Sequence, residues 1–332
     1  MTSVFSSSND ASTGLPGGSE VIVLPDGRTR ANRPARADGS AADRARSGMG
    51  WGFTAPFLIL YALFLVGPTL YNVVSSLFNT SLVKPGLGEF VGLSNYRQAL
   101  GDPEFWRTFG HTLWFTVLTS VPLVILSLLL ALLADRFAHG KWFFRCAFFA
   151  PYVLPSAVIV LIWKWMYADQ VGLVPAIFGG LGITSPSFLG DPAWSMTAVA
   201  ITTIWWTLGF NFILYLAGLQ EIPREVHEAA AIDGAGPWQR IRHIVVPMLS
   251  RTTALVAVLQ VIASLKIFDQ IYLMTSGGPD GSTRPSLEYI YDTGFTDYRA
   301  GYASTVAVVF VLIVLAVSLA WVALNRRNGK AA

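Results

Sequence analysis

The chain has 332 residues, 53% of them hydrophobic and only 13% charged, whereas soluble domains carry about 25% charged residues. This composition, with a mean hydropathy of +0.51, excludes an ordinary water-soluble enzyme and places the sequence in the membrane class. The net charge of +3 and pI of 9.0 do not mark a nucleic-acid binder, because the basic residues are segregated between apolar runs.

Residues 1–50 are rich in Ser, Gly, Ala and Arg, show no sustained apolar period, and read as a disordered basic tail. A cleaved signal peptide would place its apolar core close to Met1, but the first long apolar run begins near Trp51. From there to residue 325 six segments are long enough to cross a hydrocarbon core, at roughly 51–78, 109–134, 145–167, 195–219, 252–274 and 302–324. Backbone groups in lipid must be satisfied within the element, and alternating strand-length segments are absent, so the expected class is all-α with six transmembrane helices. The single cysteine, Cys146, has no second thiol in the chain with which to pair.

The connections set the direction. Arginines and lysines crowd the tail, the second-to-third loop (Arg136, Lys141, Arg145), the fourth-to-fifth loop (Arg224, Arg240, Arg242, Arg251) and the 326–332 end. The other loops hold far fewer. The positive-inside rule therefore predicts both termini in the cytoplasm and makes the connection at about 221–248 a cytoplasmic loop.

That loop is the most polar stretch of the C-terminal half. Pro223 suits a first helical turn, and Arg224 to Ile232 reads as a short helix whose Ala229, Ala230 and Ala231 add little bulk. Gly234 stops it. Pro237 opens a second helix, with Trp238, Ile241, Ile244 and Val245 at helical spacing, and Pro247 leads into the fifth span. A helix lying on lipid headgroups through Arg240 and Arg242 is one reading. The acidic Glu221, Glu225, Glu228 and Asp233 suit a protein partner better than an anionic surface.

Glu228-Ala229-Ala230, Asp233-Gly234-Ala235, Ile244 and Pro247 resemble the "EAA" loop of permease subunits in ATP-binding-cassette importers. Gly92-Leu93-Ser94-Asn95-Tyr96 is similar to the "GLxNY" element of the sugar-uptake branch. The 145–165 stretch, with Ala150-Pro151-Tyr152 and Trp163-Lys164-Trp165, and Phe268-Asp269-Gln270-Ile271-Tyr272 with Gly277-Gly278-Pro279, resemble that branch's third and fifth spans. Together they are similar to maltose-type and glycerol-phosphate-type permeases, and to the first partner of the usual pair. The resemblance implies a coupling helix docking on two cytoplasmic ATPase subunits, a second, unlike permease subunit, an external solute-binding protein and a bacterial inner membrane. Maltose-type relatives can carry extra spans before the core; this chain shows none, which leaves the sugar subgroup open.

Sugar passage calls for hydrogen-bonding groups and aromatic faces. Thr203, Thr207 and Asn211 fall at four-residue steps on one stripe of the fourth span, with Phe210 beside them; Gln260 and Ser264 repeat the spacing on the fifth, followed by Asp269. The resemblance implies a substrate site at Thr203, Thr207, Phe210, Gln260 and Ser264. Thr and Ser also join transmembrane helices, at about 0.6 kcal/mol per hydrogen bond, so each stays open between glue and solute contact. A buried amide such as that of Gln260 is costlier to strand. Lys266 and Asp269, three residues apart within the expected fifth span, either pair with each other or line a gate. Trp163, Trp165, Trp205 and Trp206 read as anchors or packing.

No phosphate-binding G-x-x-x-x-G-K-[ST] loop occurs, so ATP hydrolysis is expected on another chain. His111, His139, His227 and His243 lack metal-ligand spacing, and no G-x-S-x-G elbow is present. Neither a cofactor nor an enzymatic activity is expected. A self-contained secondary transporter is the alternative, but it would call for inverted repeats and would leave the polar helix pair unused.

Overall fold

The computed structural model describes residues 21–23, 29–31, 54–84, 86–136 and 141–328. The rest of the 1–50 tail, the 137–140 connection with His139, and residues 329–332 lie outside the described residues. Two compact units, Met1–Pro68 and Thr69–Ala332, divide the chain.

In the first unit, β1 (Val21–Val23) pairs antiparallel with β2 (Thr29–Ala31), Ile22 opposite Arg30. These six residues, with the four of a second short ladder, are strand within a chain expected to be all-α. The β-branched run Val21-Ile22-Val23 favours extended backbone, but it is too short to register as a hydrophobic period. Helix α1 (Thr54–Ser75) is 22 residues long and crosses the boundary between the units. It contains a π-helical turn at Ala62–Val66, and its first buried residue is Ser75. A helix apolar all round suits lipid as its solvent.

The second unit continues with a two-residue ladder, β3 (Phe78–Asn79) on β4 (Glu89–Phe90), then α2 (Ser94–Gly101) and α3 (Pro103–Arg136). The Gly92–Tyr96 element proves to be a clamp. The Asn95 amide donates to the Ser76 and Phe78 carbonyls at 3.1 Å each, and Tyr96 Oη lies 2.7 Å from Ser76 Oγ.

The expected third span is not one straight helix. Helices α4 (Lys141–Val153) and α5 (Ser156–Tyr167) meet at 97°. Pro155 supplies no N–H and pushes Leu154 out of helical geometry. After α6 (Leu173–Gly180), α7 (Pro192–Gln220) is a single 29-residue helix, its first turn capped by Asp191, whose carboxylate accepts from Ala193 N at 2.9 Å.

Helices α8 (Arg224–Ile232) and α9 (Pro237–Met248) fill the polar connection, and α10 (Ser250–Leu265) leaves α9 at 62°. The expected continuous helix over 252–274 is also corrected. Helix α10 ends at Lys266, and α11 (Asp269–Met274) starts afresh. The two charges sit where helix ends favour them, the cation at a C-terminus and the carboxylate in a first turn. Helix α12 (Ser286–Tyr291) and α13 (Ala300–Asn328) close the chain.

Among the described residues, four helices are long and apolar enough to cross a membrane unaided, and two bent pairs qualify as composite spans. Helix α7 packs on α3, α4 and α10. One apolar cluster gathers Phe115, Ile159, Trp163, Val199 and Ile271; another gathers Ala131, Phe212, Tyr215, Leu249 and Val256. Trp163 is buried, with its ring 5.6 Å from that of Trp205, so it packs as expected.

Candidate functional site

Polar side chains gather on one seam of α3, α7 and α10. The Asn211 amide nitrogen donates to Gln260 Oε1 at 3.0 Å, Gln260 Nε2 donates to Ser264 Oγ at 3.0 Å, and Ser264 Oγ lies 2.9 Å from Thr119 Oγ1. All four residues are buried. Asn211 Oδ1 is buried and has no hydrogen-bond donor among the described residues. A stranded buried acceptor costs about 1–3 kcal/mol.

The seam borders a cavity of about 150 Å³. Thr203, Thr207, Phe210, Asn211, Gln260 and Ser264 all line it, which brings together six of the seven residues singled out on the two spans. Asp269 is the exception. It is exposed at the start of α11 and does not border the cavity. Lys266 does border it, and no ion pair joins Lys266 to Asp269 among the described residues. Thr203 and Thr207 return their hydroxyl protons to the Val199 and Thr203 carbonyls at 2.9 and 2.8 Å, which leaves their oxygens as acceptors.

The sequence reading missed the aromatic wall. Tyr152, from the bend-proximal end of α4, stacks on Phe210 with centroids 5.2 Å apart and planes 23° from parallel, and both rings line the cavity with Phe115. Thr119 was missed too, although Thr108, Thr112, Thr116 and Thr119 mark a helical stripe on the second span. These hydroxyls are buried; Thr112 Oγ1 accepts from Ser286 N at 2.9 Å.

The polar connection has a different character. Gly234 takes φ +74° and turns the chain out of α8, with Ala235 N donating to Ala230 O at 3.0 Å. A Cβ at Gly234 would meet nothing within 4 Å. Ala230 is buried, Ala235 and Ile244 are half-buried, and Glu228, Ala229, Asp233 and Pro247 are exposed. The Glu228 and Asp233 carboxylates have no partner among the described residues. Ile232 and Trp238 are 86% and 69% exposed. Helix α9 contains a π-helical turn at Ile241–Val245, beyond the simple helical period expected there.

Residues 112–330 match the family described as binding-protein-dependent transport system inner membrane component. The chain belongs to this family. The permease is 34% identical over 272 residues to the sulfoquinovosyl glycerol transport system permease protein of Agrobacterium fabrum, covering 82% of this chain and 88% of that one. It is 31% identical to the trehalose/maltose transport system permease protein of Thermococcus litoralis, over 84% of this chain and 94% of that one. It is 32% identical to the sn-glycerol-3-phosphate transport system permease protein of A. fabrum, over 80% and 90%. Its fold is that of a chain in a bacterial ABC transporter crystal structure, described as involved in import of the acidic polysaccharide alginate. The TM-score is 0.76 at 22% identity, covering 86% of this chain and 98% of that one. The permease is a multi-pass membrane protein, and its relatives are transporter subunits rather than enzymes.

Proposed function

We propose that this permease forms one half of the translocation path of a binding-protein-dependent, ATP-driven carbohydrate importer in a bacterial inner membrane. The observation that carries the reading is the cavity between α4, α7 and α10, where two stacked rings face a hydrogen-bonded amide seam with one acceptor left open. Aromatic faces cover the apolar side of a pyranose, and its hydroxyl donors suit the acceptor oxygens of Thr203 and Thr207. A volume of about 150 Å³ is below the roughly 300–1,000 Å³ of complete ligand pockets, which suits a path shared with a second, unlike permease subunit. The named relatives, which handle a sulfoquinovosyl glycerol, trehalose/maltose and glycerol 3-phosphate, support the carbohydrate class.

The path residues are Thr203, Thr207, Phe210, Asn211, Gln260 and Ser264, with Asp269 outside the cavity wall. In this reading the chain crosses the membrane six times, with α4–α5 as one bent span, and both termini are cytoplasmic. The domain of residues 51–325 follows a basic tail at 1–50 and precedes a short cytoplasmic end at 326–332. The 221–248 connection is a coupling loop on a separate ATPase. Glu228, Ala229, Ala230, Asp233, Gly234, Ala235, Ile244 and Pro247 form its docking element, and the open side chains around them are its contact surface. An external solute-binding protein delivers the sugar.

The double variant Asn211→Leu/Gln260→Leu tests the path. Replacing both partners of a buried hydrogen bond with apolar groups is nearly neutral for folding, so the expected outcome is normal membrane abundance and normal co-purification of the ATPase with sugar uptake lost. Unchanged uptake at normal abundance would remove this cavity from the path. Absence of any co-purifying ATPase would favour the self-contained transporter instead.

A further inference from the structure

Among the described residues, Lys266 is the one charged side chain lining the cavity. It follows the last turn of α10, at φ −94° and ψ 20°, between two helices that do not join. Its side chain is exposed, and among the described residues its ammonium makes no ion pair and no hydrogen bond. Asp269, three residues on, heads its own helix and stays off the cavity wall. The remaining walls are amide, hydroxyl, aromatic and aliphatic groups, none of which balances the charge. An ionisable side chain at the edge of an apolar span is costly and calls for a partner. Here the space beside it is the cavity itself.

We infer that the solute carries an anionic group, a sulfonate, phosphate or carboxylate, and that Lys266 selects for it. The inference rests on the carbohydrate reading above and narrows it to acidic sugars. The solute's hydroxyls meet the threonine oxygens, its apolar face lies against Tyr152 and Phe210, and its charged group meets the ammonium. A charge-assisted contact of this kind discriminates, because a neutral analogue leaves the ammonium without an ionic partner at the cavity wall. A cation at the C-terminus of α10 also complements the helix dipole. That structural role is indifferent to the charge of the solute, which is what an experiment separates.

The complete importer, with its own second permease, ATPases and binding protein, is reconstituted in lipid vesicles. ATP-driven uptake is measured for matched pairs of labelled sugars: glucose against glucuronate, methyl glucoside against its 6-sulfonate, and glycerol against glycerol 3-phosphate. The expected result is that the native importer prefers the acidic member of at least one pair. Lys266→Met then lowers acidic uptake about tenfold or more relative to neutral uptake, and Lys266→Arg retains the preference. Lys266→Gln replaces the Met variant where the latter does not assemble. Preference for a neutral member in every pair, or an equal loss of acidic and neutral uptake in Lys266→Gln, overturns the inference while leaving the carbohydrate reading intact. Uptake of no sugar by an assembled importer whose ATPase responds to another solute overturns both.

Discussion

Two glycines with nearly the same backbone show how differently this chain finishes its loops. Gly277 has φ +73° and Gly234 has φ +74°. A Cβ on Gly277 would lie 2.9 Å from Glu288 Oε1 and 3.1 Å from Arg284 Cβ; on Gly234 it would meet nothing within 4 Å. Around Gly277 most polar groups are used inside the chain, Glu288 Oε2 excepted. Arg284 lies 3.5 Å from Glu104 and 2.5 Å from Asp292, with its guanidinium over the Tyr289 ring. Thr283 donates to Gly278 O at 2.8 Å, and both Tyr289 and Tyr302 donate to Asp102. Around Gly234 the carboxylates and large apolar side chains are left open. A loop that satisfies its own groups needs no partner to hold its shape, whereas one that leaves them open is completed by something else.

The contrast breaks most visibly at the packed glycine. Gly277→Val combines the strain of a β-branched residue at positive φ with a collision against buried side chains, together on the order of 3 kcal/mol. The expected outcome is a marked fall in membrane abundance and in melting temperature measured in detergent, with transport lost as a consequence. Gly234→Val meets the same backbone strain and no collision. It should leave abundance close to normal while abolishing ATP-driven uptake and weakening ATPase retention. Full coupled transport by Gly234→Val would sink the coupling-loop reading, and a fall in abundance matching that of Gly277→Val would erase the distinction between the two loops.

The pH dependence of stability sharpens the comparison at a smaller scale. Glu288 is buried, its Oε2 has no partner among the described residues, and its pKa is pushed up to about 7 by burial first and by the charge of Asp292 second, with Arg284 opposing both. A raised carboxyl pKa means that the folded state holds a proton that the unfolded state has already lost. Stability therefore falls as pH rises from about 4.5 towards 7 and levels off above that. Glu288→Gln should flatten this profile and raise the melting temperature at pH 8 relative to the native protein. The smallest effect is expected at Thr207→Val. Its hydroxyl donates within its own helix at 2.8 Å, so stability changes by less than about 1 kcal/mol, and only the acceptor offered to the cavity is lost. A modest rise in the apparent KM for uptake at unchanged abundance is the expected reading.

Much of the cavity was legible beforehand because α7 and α10 are regular. A four-residue step puts Thr203, Thr207 and Asn211 on one stripe, and Gln260 and Ser264 on another, whatever surrounds them. Asp269 falls off the cavity wall because the helix restarts beyond Lys266, where the four-residue stripe no longer applies. Tyr152 was invisible for a related reason, since only the bend after α4 and the packing of α4 on α7 bring its ring over Phe210. The turn at Gly234 was read from residue type alone, because few residues but glycine accept that backbone.

The sequence by itself therefore determined the membrane class, the positions of the long helices, the turn chemistry of the 221–248 connection and the stripes of hydroxyl and amide side chains. These depend on local propensity and on the free energy of moving residues into lipid, which are properties of short segments. Only the tertiary structure decided which stripes face one another, that α4 and α5 meet at 97°, that Lys266 borders the cavity while Asp269 does not, and that one loop closes on itself while the other stays open. Those outcomes depend on contacts between residues far apart in the chain, such as Asn211 with Gln260 and Thr119 with Ser264. Their energies exist only once the helices have packed.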